Sequence, residues 1–134
     1  MKTREFSRIF INKEGFLKAC ADWRHFPPKP AVYILIIEEP FMWGDKETDI
    51  IYIGSTKHLG GIDSNCRLWD YHTKATQHEK NIIEKIKELE KSGKAVKILW
   101  SYRFPNNYTH KEYEKVLLKR FKEEHGKPPK LNKI

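Results

Sequence analysis

The chain has 134 residues, 39% of them hydrophobic, enough for one domain with a single modest core and too few for a second folding unit. Twenty-six Lys and Arg against eighteen Asp and Glu leave a formal charge of +8 and a pI near 9.4, which favours polyanionic partners such as nucleic acid. Two cysteines, Cys20 and Cys66, supply neither a disulfide framework nor the paired spacing of a zinc site. The first residues lack the apolar core of a secretory signal, and no run approaches the roughly 20 apolar residues that span a bilayer, so a reducing, cytoplasmic setting without membrane contact is expected.

Residues 1–12 mix charge with Phe6, Ile9, Phe10 and Ile11, a pattern that allows a short edge strand. Over 13–23 the apolar Phe16, Leu17, Cys20 and Ala21 fall at helical spacing with Asn12 as N-cap, which predicts a short amphipathic helix ended by Pro27-Pro28-Lys29-Pro30. Residues 31–38 form a β-branched apolar run, and 49–54 repeat it in Ile50-Ile51-Tyr52-Ile53-Gly54, so both read as buried strands. Pro40 and Gly44-Asp45 between them predict an antiparallel hairpin with a long loop, whose Phe41, Met42 and Trp43 fold back on the core or meet a partner. Because side chains alternate along a strand, Tyr33 and Tyr52 can share a face.

The polar stretch after Gly54, with Gly60-Gly61, predicts a flexible connection to a helix over 64–74. Arg67 and Tyr71 are four apart on that helix, as are Leu68 and His72, so one side presents the arginine with the tyrosine and the other keeps Leu68 for the core. A longer helix over 79–92, with Ile82, Ile83, Ile86 and Leu89 on one stripe and Gly93 to end it, reads as structural. Val96, Ile98, Trp100, Tyr102 and Phe104 alternate as in a half-buried strand that joins the hairpin's sheet. Thr109-His110-Lys111-Glu112 has capping-box spacing and opens a last helix running to His125 and Gly126, with Tyr113, Val116, Leu117, Leu118 and Phe121 on its apolar stripe. At 100° per residue Glu114 falls inside that stripe, an acid on the core side of the helix that asks for an explanation.

Ala31-Val32-Tyr33 and Tyr52-Ile53-Gly54, in that order on neighbouring strands and followed by a helix carrying Arg67, resemble the two tripeptides of the GIY-YIG nuclease family. The likeness covers roughly residues 29–132, leaving 1–28 as an N-terminal extension of a single 1–134 domain. It implies an α/β (α+β) fold with a small, mostly antiparallel three-stranded sheet flanked by helices, and a metal-dependent endonuclease that hydrolyses DNA phosphodiesters. The departures are an alanine opening the first tripeptide, a connection before Arg67 lengthened by what reads as an insertion at Gly60-Gly61-Ile62-Asp63, and a long gap between Glu114 and Asn132.

Hydrolysis of a phosphodiester needs a water held in line, a base for its proton and positive charge about the phosphorane. Carried over residue by residue, the resemblance implies Tyr33 and Tyr52 as the strand tyrosines and Arg67 as the forked contact to the scissile phosphate. Tyr52, Tyr71 or His72 would take the proton, and Glu114 would hold one Mg2+ or Mn2+. Gly54 closes the second tripeptide, Lys57 supplies a charge that some members carry at the position of Ser55, and Leu131-Asn132 resembles the closing asparagine. The basic helix face and tail, with Lys111, Lys115, Lys119, Lys122, Lys127 and Lys130, would hold DNA, or RNA, by its backbone. Sequence-selective cutting would then call for a homodimer or a partner protein. Two readings from other classes stand beside the nuclease: a non-catalytic nucleic-acid-binding module that keeps the fold, and a protein-interaction domain built on Phe41, Met42 and Trp43.

Overall fold

The computed structural model describes residues 1–61 and 63–133; Ile62, read above as part of an insertion, and Ile134 lie outside the described residues. The strands are β1 (Asn12–Gly15), β2 (Ala31–Trp43), β3 (Lys46–Thr56) and β4 (Val96–Ser101), and the helices are α1 (Phe16–Ala21), α2 (Arg67–Thr73), α3 (Gln77–Lys91) and α4 (His110–His125). They form a mixed α+β arrangement around one antiparallel sheet in the order β1-β4-β2-β3, four strands where three were expected.

The additional strand comes from residues assigned above to the start of the first helix. Asn12 pairs with Trp100 and Gly15 with Lys97, so Asn12 opens a strand instead of capping a helix, and Gly15 takes the N-cap of a shorter α1. Pairing satisfies the outer edge of β4, whose backbone groups would otherwise stay open. The edge strand that the pattern of 1–12 allows does not form before Asn12: Phe6 and Phe10 are four apart, Phe10 N–H bonds the Phe6 carbonyl at 2.9 Å, and the chain makes a short 3-10 turn at Thr3–Phe6. Phe6, Ile9 and Phe10 follow the period of a turn, not that of a strand.

The hairpin is longer and its turn tighter than expected. After a break in pairing at residues 37–40, β2 and β3 pair again from Phe41 opposite Thr48 out to Trp43 opposite Lys46, which leaves Gly44-Asp45 as a two-residue turn with Gly44 at φ 69°. Phe41 and Trp43 fold back on the core as half-buried strand residues while Met42 points to solvent. The register skips one residue of β3, from Tyr52 opposite Leu35 to Ile50 opposite Ile36, so Ile51 is the extra residue of a bulge. That skip lets Ile51 and Tyr52 serve the same face, although strict alternation would separate them.

Two cores follow from the two faces. Tyr33, Leu35, Ile37, Tyr52 and Ile98 pack with Phe16 of α1, Leu68 and Tyr71 of α2 and Ile82, Ile83 and Ile86 of α3. Val32, Ile34, Ile36, Ile53 and Leu99 pack with Tyr113, Leu117 and Phe121 of α4 and with Phe6 and Phe10. β4 is therefore covered on both faces, more deeply than the half-buried strand its alternation predicts, because it lies inside the sheet between β1 and β2. Burying each of the three isoleucines of α3 contributes about 1.5–3 kcal/mol. The last helix matches its sequence signals closely: Thr109 and Glu112 form the capping box, and Gly126 at φ 73° ends the helix.

Leu59, Gly60 and Gly61, within the stretch expected above to be flexible, are buried. A Cβ on Gly60 would stand 2.3 Å from Phe26 Cβ and 2.5 Å from the Trp23 carbonyl oxygen, so only glycine lets the chain lie against the segment after α1. Arg67 N–H bonds the His58 carbonyl at 2.9 Å and Leu68 N–H bonds that of Leu59 at 3.0 Å. These bonds pin the start of α2 beside the residues that follow β3.

Candidate functional site

The site is built where β2, β3 and the starts of α2 and α3 meet. Tyr33 of β2 lies opposite Gly54 of β3, and its ring fills the space a side chain there would need: a Cβ on Gly54 would stand 2.7 Å from Tyr33 Cζ and 2.8 Å from Tyr52 Cε1. The glycine of the second tripeptide is therefore set by the two phenols it admits. Their ring centroids are 5.9 Å apart.

Arg67 reaches this cluster from the first position of α2. Its Nε–H donates to the Tyr33 hydroxyl at 3.1 Å and its Nη2 to the Tyr71 hydroxyl at 3.3 Å, and the two hydroxyls are 2.8 Å apart. The guanidinium also lies over the Tyr71 ring, 4.6 Å from its centroid. Burial pushes the pKa of Tyr33 well above the ordinary phenol range, with the neighbouring Tyr52 adding to the rise and Arg67 opposing it. Burial does the same to Tyr71, helped by Tyr33 and Tyr52. Both phenols therefore stay protonated at neutral pH and act as hydrogen-bond partners of the arginine.

Tyr52 is differently placed, with its hydroxyl 3.3 Å from His78 Nε2. His72, one candidate for taking a proton, is exposed and lies beside Trp69 with ring centroids 6.1 Å apart, outside this cluster. Glu114 is half-buried on α4, and its Oε1 accepts a hydrogen bond from Ser55 Oγ on β3. That bond explains the acid on the apolar stripe and ties it to the residue next to Gly54. Asn132 is bound to the same strand: its Oδ1 accepts from Ile53 N–H at 2.9 Å and its Nδ2 donates to the Ile53 carbonyl at 2.8 Å. The asparagine closes the outer edge of β3.

Lys57 is exposed just past β3, and Lys111, Lys115, Lys119 and Lys122 are exposed on α4 at near-helical spacing. Lys127 is drawn away from that stripe, its Nζ 3.8 Å from the Trp43 ring centroid. Lys130 lines a separate cavity of about 640 Å3 walled by Ile37, Phe41, Ile51 and Leu89.

Four neighbours of the site, Glu79, His78, His110 and Ser55, have no site role assigned from the sequence. Glu79 is buried on α3 with its Oε1 3.5 Å from Arg67 Nη1, and His78 precedes it. A signal for Glu79 was present: it stands three before Ile82 and four before Ile83, on the same stripe, and Thr76-Gln77-His78-Glu79 has capping-box spacing. His110 lies one turn before Glu114, and its pKa is lowered by burial and by Lys111, with Glu114 opposing the shift and Lys57 adding to it. Ser55 is legible only from the register. Among the described residues no group of three or more His, Cys, Asp or Glu side chains is gathered that could hold a metal ion. No helix of the described residues is long and apolar enough to cross a membrane. The chain matches no family model, no curated protein and no solved structure.

Proposed function

We propose that this chain is a GIY-YIG-type endonuclease that hydrolyses DNA phosphodiester bonds. The observation that carries the reading is the contact of the Arg67 guanidinium with the hydroxyls of both Tyr33 and Tyr71, beside a glycine that makes room for two phenols. Phosphoryl transfer needs a fixed forked cation, and a guanidinium held by two phenols is fixed before substrate arrives. The order and strand context of the two tripeptides support the same reading. The three strands the family uses correspond to β2, β3 and β4, with β1 added at the edge.

Arg67 binds the scissile phosphate and stabilises its growing charge, while Tyr33 and Tyr71 hold the guanidinium. Tyr52 takes the proton of the attacking water, with His78 as the acceptor for the phenol's own proton. Glu114 fits a hard divalent ion that keeps most of its waters, Mg2+ or Mn2+, because it offers one half-exposed carboxylate with Ser55 bonded to one of its oxygens. Such an ion, when bound, neutralises charge on the phosphate and stabilises the leaving oxygen. The lysine stripe of α4 holds the DNA backbone without reading bases.

The test is incubation of the purified protein with supercoiled plasmid and Mg2+. Nicking that is abolished by Glu114→Ala and by Arg67→Ala supports the nuclease. Salt-sensitive DNA binding without nicking supports a binding module instead, and neither binding nor nicking removes nucleic acid as the partner.

A further inference from the structure

Glu79 is the buried acid that the division of labour above leaves without a task. Its side chain is only 4% exposed, against 20% for the Arg67 side chain it faces. Thr76 Oγ1 donates to Glu79 Oε2, and Oε1 lies 3.5 Å from Arg67 Nη1. The carboxylate also sits in the first turn of α3, where unpaired backbone N–H groups favour an anion. A helix cap alone needs none of this contact with the arginine.

The arrangement about the guanidinium shows what the carboxylate adds. A guanidinium has five N–H donors in one plane. The phenols of Tyr33 and Tyr71 take one each through Nε and Nη2, which defines a single edge and leaves the far nitrogen unheld. Glu79 faces that nitrogen as an ion-pair partner, so all three nitrogens of Arg67 have a neighbour, while the two hydrogen bonds to the phenols leave the other N–H donors for a ligand.

We propose that Glu79 is a positioning residue for Arg67, fixing the plane of the guanidinium so that its remaining donors meet the scissile phosphate. The inference rests on the nuclease reading of the site. It has a consequence that mere support of the fold lacks. Removing the negative charge beside Arg67 leaves the site more positive, so DNA should bind as well as before or better, while turnover falls because the fork is no longer aimed.

The variant is Glu79→Gln, which keeps size and a partner for Thr76, with thermal unfolding used to show that the fold is retained. The expected result is a fall in kcat for plasmid nicking of between about ten- and a hundredfold, with KM for DNA unchanged or lower. In an Arg67→Lys background the same substitution should have no further effect on kcat, since Glu79 acts through the guanidinium. A readout independent of cutting is the side-chain 15N–1H spectrum of Arg67, assigned by its loss in Arg67→Lys. Slow rotation about Cζ–Nη should resolve Nη1 from Nη2 in the unaltered protein, and Glu79→Gln should merge them. Unchanged Nη signals, or equal losses of binding and turnover in Glu79→Gln, overturn the proposal. Should the unaltered protein fail to cut, the nuclease reading falls, and the Nη signals still decide whether Glu79 positions Arg67.

Discussion

The hydroxyl oxygens of Tyr33 and Tyr71 lie 2.8 Å apart, although one belongs to the sheet and the other to α2, and Arg67 donates to both. Burial raises both phenol pKa values above the ordinary 10, so each holds its proton more tightly in the folded chain than in the unfolded one. Below pH 10 these groups make stability independent of pH. Above it the unfolded chain ionises while the native phenols do not, so stability falls as pH rises. Absorbance at 295 nm should show Tyr33→Phe and Tyr71→Phe each removing amplitude only from the step well above pH 10. Loss of amplitude near pH 10 would mean that the phenols are not locked together.

Gly54→Ala should disturb the same pair from the other side. A Cβ within 2.8 Å of both Tyr33 and Tyr52 must move rings that are themselves buried, which costs about 1–3 kcal/mol as overpacking. Urea unfolding should show this loss in the midpoint with little change in slope. An unchanged midpoint would indicate rings free to move aside.

Much of this is legible in the sequence, and the limits have physical causes. Glu114 stood out because an acid on an apolar helical stripe must find a partner, and Ser55 is that partner. The capping box at Thr109 and the terminal Gly126 are local signals, and they set the limits of α4 closely. Glu79 obeys the same stripe logic, but periodicity alone starts the helix at this residue, where an acid reads as a solvated first-turn charge. The bulge at Ile51 has no signature in composition, since Ile50, Ile51 and Ile53 are interchangeable by type and only pairing with β2 shows which one is extra. β1 was hidden for a similar reason: four residues with mixed charge become a strand because β4 has an open edge. Gly60 reads as flexible because glycine serves both freedom and close approach, and only the neighbouring Phe26 and Trp23 show which applies.

Asn132 ties the C-terminal segment to the outer edge of β3 through both the N–H and the carbonyl of Ile53. Asn132→Ala leaves those two backbone groups without their side-chain partner, a loss of roughly 1–3 kcal/mol. Amide hydrogen exchange should show the Ile53 N–H becoming faster by a comparable factor, while amides of β4 keep their rates. Uniform acceleration across the sheet would instead point to global destabilisation.

The exposed lysines of α4 should act as phosphate contacts. Replacing Lys115 and Lys119 with Gln should lower affinity for duplexes of different sequence alike and reduce the slope of log K against log salt by about 1 per lysine. Fluorescence anisotropy across a salt series measures both. A loss confined to one sequence would assign these residues to base reading.

The central claim is that the guanidinium of Arg67, held by two phenols, makes a forked contact with the phosphate being cut. Arg67→Lys keeps the charge and removes the fork. The measurement is plasmid nicking in Mg2+ alongside DNA affinity for the unaltered protein and this one variant. The account predicts nicking reduced about a hundredfold or more, with affinity changed by no more than about twofold. Nicking by Arg67→Lys at the rate of the unaltered protein would contradict it.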